Sequence, residues 1–119
     1  MCIRDSYKRA RELEFMLEVV AGMLARHELY VARFYLNKDN YQAAVARCQY
    51  ALREYEGSGL EAEAMVLLGE TYMKMKKRKK ARTVLRQMLS MYPDSPFGTP
   101  ARHFLHLMGD DSAVPMRVD

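Results

Sequence analysis

Residues 30–56 read YVARFYLNKDNYQAAVARCQYALREYE and residues 67–93 read LLGETYMKMKKRKKARTVLRQMLSMYP. Aligned at an offset of 37 residues, Ala32, Tyr35, Ala44 and Ala51 of the first stretch fall on Gly69, Tyr72, Ala81 and Met88 of the second. Self-similarity at such a period marks stacked helical units, each too small to bury its apolar face alone. A small residue at Ala32 or Gly69 lets two helices of one unit approach closely, and the tyrosine three residues on fills the groove between them. Ala44 and Ala81 do the same from the partner helix. Pro93 ends the second copy because proline cannot continue the hydrogen-bond ladder. The first copy has Glu56 at that position, followed by Gly57-Ser58-Gly59.

Helical periodicity continues on both sides of the repeat. Leu13, Leu17, Val20, Leu24 and Val31 recur at helical spacing, so the sequence predicts a long amphipathic helix over residues 7–36, with Gly22 as a point where it could bend or divide. Asn37-Lys38-Asp39-Asn40 is a turn cluster. Tyr41, Ala44, Val45, Cys48, Leu52 and Tyr55 then mark one face of a second helix ending near Gly57. Ser58 with Glu61 has the spacing of a capping box, opening a third helix that runs to about Met75. Ala81, Val84, Leu85, Met88, Leu89 and Tyr92 stripe a fourth, and Pro100 opens a short fifth. No segment alternates as a strand does. The fold class is all-α, with about five helices.

A chain of 119 residues fits one domain. Half its residues are apolar, enough for a core. Lys and Arg outnumber Asp and Glu by 19 to 15, a mild excess that does not mark a dedicated nucleic-acid binder. Cys2 and Cys48 are too isolated for a disulfide framework or a zinc knuckle. No apolar run reaches the length that crosses a bilayer. Residues 1–10 neither cap nor continue a pattern and are expected to be a non-native or disordered start, with the natural protein extending upstream. Residues 109–119 are expected to be a disordered tail. Between them, 11–108 form the domain: repeats at 25–58 and 62–95, then a capping helix at 99–108.

The residues Leu68-Gly69, Tyr72, Ala81, Leu85 and Pro93, with Ala32, Tyr35, Ala44 and Ala51 one unit earlier, resemble the tetratricopeptide repeat, which implies helical hairpins stacked as an α-solenoid. A more specific resemblance covers roughly 11–107. Arg26-His27-Glu28-Leu29-Tyr30-Val31-Ala32-Arg33-Phe34-Tyr35-Leu36, then Asn40-Tyr41-Gln42-Ala43-Ala44-Val45-Ala46-Arg47, then Tyr92-Pro93-Asp94-Ser95 are similar to the carboxy-terminal half of the BamD family of outer-membrane assembly lipoproteins. That resemblance implies a non-enzymatic scaffold without cofactors at the periplasmic face of the outer membrane, held there by a lipid anchor outside these residues. It implies binding to the POTRA domain of the barrel-assembly subunit and to accessory lipoproteins. It also places Arg47 at a family position that forms a salt bridge to that POTRA domain. A cell-envelope coordinator, or a cytoplasmic peptide-binding module of the same architecture, is the alternative. An enzyme would need a catalytic domain elsewhere.

Candidate contact residues follow from repeat geometry and charge. The first helices of such units line a concave groove, directing Arg26, Leu29, Arg33 and Leu36 toward a peptide, while Arg47 on an edge meets a folded partner. Lys74, Lys76, Lys77, Arg78, Lys79, Lys80, Arg82 and Arg86 form a basic run with no acidic residue between Glu70 and Asp94. It suits an acidic protein surface or anionic lipid head groups, against a structural reading as a solvated connector. Aromatics are not interleaved, which argues against nucleic acid. His103 and His106 share a face at i, i+3 but lack a third ligand. Cys48 occupies an inward position and is expected to pack as a small hydrophobe. Met65, Met73, Met75, Met88 and Met91 are expected in the core.

Overall fold

The computed structural model describes residues 3–109 as five α-helices: α1 (Ile3–Asn37), α2 (Tyr41–Glu54), α3 (Glu61–Lys74), α4 (Arg78–Met91) and α5 (Gly98–Leu107). Each packs chiefly on the next, so α1–α2 and α3–α4 are two hairpins stacked through α2 and α3, with α5 laid against α4 and α3. The architecture is all-α and tetratricopeptide-like. Among the described residues no helix is long and apolar enough to cross a membrane.

The two hairpins close with the same backbone chemistry 37 residues apart. Asn40 N–H donates to the Tyr35 carbonyl at 2.9 Å, and Lys77 N–H donates to the Tyr72 carbonyl at 2.9 Å. Asp39 N–H reaches the Leu36 carbonyl and Lys76 N–H the Met73 carbonyl, both at 3.0 Å. Asp39 and Lys76 accordingly both take left-handed backbone, with φ of 62° and 64°. Asn40 caps α2, its Oδ1 accepting from Ala43 N–H at 3.3 Å.

Inside the hairpins, small and large residues exchange places between the two copies. A Cβ added to Gly69 would lie 2.6 Å from Leu85 Cδ2, so only glycine lets the α4 leucine seat against α3. The equivalent positions in the first hairpin hold Ala32 and Cys48, both fully buried. The smaller thiol leaves room for one methyl. Helix α3 lies between α2 and α4 and is apolar nearly all round, from Ala62 to Tyr72, as a helix buried on several sides requires. Its buried hydroxyl is satisfied, Thr71 Oγ1 donating to the Leu67 carbonyl at 2.8 Å. The hairpins are joined by a polar contact, Gln49 Nε2 donating to the Tyr72 hydroxyl at 3.2 Å.

Several details depart from the sequence reading. Helix α1 starts at Ile3, inside the segment expected to be disordered, because its Arg, Lys, Glu, Leu, Ala and Met residues propagate a helix readily from the packed turns that follow. It runs unbroken past Gly22. Leu13, Leu17, Val20 and Leu24 are exposed, whereas the bundle-facing set is Ala25, Glu28, Leu29, Ala32 and Leu36. Residues 3–20 are exposed on every face of the helix, so the first half of α1 extends past the bundle and only the second half packs on the hairpins. The free half accounts for the 62 Å long dimension of the molecule.

Ser58 and Glu61 do interact, but α3 begins at Glu61 rather than after Ser58. The Ser58 hydroxyl donates to the Glu61 carboxylate and accepts Leu60 N–H, while Gly59 N–H donates to the same carboxylate. Helix α5 begins two residues before Pro100, leaving the proline in the first turn, where its missing N–H costs nothing. Met65 and Met88 are buried, Met73 and Met75 partly so, and Met91 is exposed on α4. The expected tail at 109–119 lies outside the described residues except for Gly109, which follows α5 in a turn.

Candidate protein-binding surfaces

On α2, Ala44, Cys48 and Ala51 point inward at helical spacing, which sets Arg47 on the rim beside them. There its Nη1 donates to Glu28 Oε2 at 2.9 Å across to α1. The two side chains differ in setting: Arg47 is 44% exposed and Glu28 only 11%. The hydrogen bond to Glu28, with its charge, raises the Arg47 pKa further above its ordinary value, so the guanidinium stays charged. Glu28 consumes one edge of a group with five donors. The remaining donors face solvent from a side chain already held in place, an arrangement suited to a second carboxylate.

Arg26 and Arg33 stand on the other flank of α1, where the structure brings them into one groove. Arg26, Leu29, Tyr30, Arg33, Phe34 and Asn37 recur at intervals of three and four along α1 and face Glu63 and Leu67 on α3, enclosing about 370 Å³. Leu29 and Leu67 form its floor, 5% and 2% exposed. Leu36, expected in the groove, instead points into the core because it lies on the face shared with Ala25, Leu29 and Ala32. Sequence reading missed Tyr30, Phe34, Glu63 and Leu67. The α1 pair could have been found by extending the Arg26, Arg33 stripe by one helical step.

Lys77, Arg78 and Lys79 are exposed at the turn between α3 and α4, apart from both arginine surfaces in the chain. Lys77 is the N-cap residue of α4 and supplies no side-chain cap, and the first turn of α4 has no acidic residue. Cations there oppose the helix dipole rather than complement it. Lys80 Nζ lies 5.8 Å from the centre of the Tyr72 ring, fixing one cation against the hairpin. Cys48 is enclosed, and burial pushes its thiol up to about 12, beyond the opposing effect of the Arg33 charge. His103 and His106 are exposed on α5. Among the described residues no group of three or more His, Cys, Asp or Glu is placed to hold a metal ion.

Residues 6–86, which carry all three surfaces, match the model of the YfiO family, described as an outer membrane lipoprotein. The chain belongs to that family. It is 32% identical over 94 residues to outer membrane protein assembly factor BamD of Neisseria meningitidis serogroup A, covering 79% of this chain and 35% of that protein. The Rickettsia prowazekii protein of the same name is 30% identical over 88 residues, covering 74% of this chain and 35% of its own length. That of Pasteurella multocida is 38% identical over 56 residues, 47% of this chain and 22% of the relative. The chain thus spans about a third of the length of most of the curated relatives it matches. No solved structure matches it. The YfiO match runs from α1 into α4, so all the candidate partner-contact residues lie inside it, while the last residues of α4 and the whole of α5 lie beyond.

Proposed function

We propose that this chain is a noncatalytic interaction scaffold of the outer-membrane β-barrel assembly machinery, working at the periplasmic face, and that Arg47 docks it onto the POTRA domain of the barrel subunit. The relatives' name, outer membrane protein assembly factor, supports the process, and the family's description as an outer membrane lipoprotein supports attachment by lipid. The observation that carries the docking reading is the Arg47–Glu28 pair. A rim guanidinium preset by a mostly enclosed carboxylate loses little side-chain freedom when it meets a partner's acid.

The pair also dictates how the reading is tested. A charge reversal at Arg47 would face Glu28 with a second carboxylate and damage the α1–α2 hairpin as well as the partner contact. The informative variants are Arg47→Ala with Glu28→Gln, which leaves no orphaned charge, and Glu28→Gln alone. Calorimetric titration against the isolated POTRA domain is expected to show about tenfold or greater weakening for the double variant, the scale of losing one desolvated charge pair. Glu28→Gln alone should bind within a few-fold of the parent chain. An unchanged affinity of the double variant at low salt, with the helical circular dichroism preserved, would refute the reading.

A further inference from the structure

The groove between α1 and α3 has features that packing alone does not call for. Tyr30 is 74% and Phe34 51% exposed, two aromatic side chains one helical turn apart at the mouth of an apolar floor. Phe34 is held on two sides, edge-on to Tyr35 at 5.7 Å between ring centres and with Lys38 Nζ 5.7 Å from its own centre. Its ring is therefore presented rather than collapsed. Among the described residues neither Arg26 nor Arg33 has a carboxylate in salt-bridge reach. The lining carries two guanidinium groups against the single Glu63, a net positive charge over an apolar surface.

These observations define a ligand chemistry. Seven residues of helix separate Arg26 from Arg33, about 10 Å along the axis at about 1.5 Å per residue, and Tyr30 and Phe34 lie beside and between them. An extended peptide places side chains of one face about 6–7 Å apart, so an apolar side chain on the floor puts the residues two before and two after it within reach of the two arginines. A volume of about 370 Å³ accommodates such a segment's central side chains. We infer that this groove binds an extended peptide segment of another protein in which an apolar, preferably aromatic, residue is flanked two positions away by Asp or Glu. The groove lies on the flank of α1 opposite Glu28 and Arg47, so the inference stands independently of POTRA docking.

The test uses the full 119-residue chain, isotope-labelled for amide NMR, titrated with an end-blocked heptapeptide carrying phenylalanine at its centre, glutamate two positions to either side and serine elsewhere. Saturable shifts confined to the amides of 26–37 and 63–67 are expected. Replacing both peptide glutamates by glutamine, or the phenylalanine by serine, should each weaken binding about tenfold. Arg26→Gln with Arg33→Gln should do likewise. Glu63→Gln should tighten binding several-fold, because it removes the one charge that repels the ligand, and a residue of merely structural importance would not produce a gain. All three substituted side chains point outward from helices, and circular dichroism verifies that the variants fold. Absence of saturable shifts, shifts centred on the 74–86 basic run, or shifts along the Leu13–Leu24 stripe would each overturn the inference.

Discussion

At Gly69 the second hairpin tolerates no side chain, and the reason is Leu85. An alanine there would put its Cβ 2.6 Å from a Leu85 methyl and 2.7 Å from Leu85 Cγ, in a leucine that is fully buried and has nowhere to move. Overpacking costs about 1–3 kcal/mol, and alanine's better helix propensity returns up to about 1 kcal/mol of it. Gly69→Ala is therefore expected to lower stability by about 1–2 kcal/mol in urea denaturation. Adding Leu85→Cys, which reproduces the Ala32–Cys48 pairing of the first hairpin, should recover part of that loss; a double variant less stable than the single would contradict the packing account. Cys48 itself yields a second expectation. With its thiol pushed up to about 12 by burial, it remains neutral and enclosed at ordinary pH, so in a Cys2→Ser background it should react with a thiol reagent at pH 8 only at the rate the chain opens. The sign for stability follows: the contribution of the neutral thiol is complete below its ordinary pKa of 9.0 and is lost as pH rises toward about 12.

Between the helices, the two hairpin turns share one backbone conformation built from different residues. Both Asp39 and Lys76 sit in the left-handed region, where a side chain beyond glycine is strained by about 1–2 kcal/mol and aspartate less than lysine. Lys76→Gly is expected to stabilise the chain by about 0.5–1 kcal/mol, part of the relieved strain being offset by a more flexible unfolded state. Asp39→Gly should gain less, because it also removes the carboxylate that accepts the Tyr41 hydroxyl at 3.2 Å. A thermal melt of both variants decides the order. The turns were legible in sequence as clusters of Asn, Asp and Lys between apolar stripes. Their equivalence was legible too, since Tyr35 and Tyr72 precede them at one offset. The shift of the α3 start from Ser58 to Glu61 was not, because Ser58 and Glu61 satisfy loop amides at Gly59 and Leu60 instead of the first helical N–H groups.

Across the whole molecule, α1 is two helices in energetic terms though one in backbone. Its first half, 3–24, has its apolar side chains in solvent, and its second half is sealed by Ala25, Leu29, Ala32 and Leu36. Amides of 3–24 are expected to exchange with deuterium at least about tenfold faster than those of 28–36, since opening them uncovers no buried surface. Equal protection in dilute solution would mean that the first half is covered. The periodicity of apolar residues determined by itself that the chain is helical, that it holds five helices in this order, and that the second hairpin repeats the first, because these depend on spacing along one chain. Arg26, Arg33, Arg47 and the 74–86 cations could likewise be picked out one by one. Only the tertiary structure decided that Glu28 holds Arg47, that Glu63 and Leu67 complete the groove of Arg26 and Arg33, and that the α1 turns carrying Leu13 to Val20 reach past the bundle. Those facts depend on which flank of one helix meets another, and a register of residues along the chain does not contain the angle between helices.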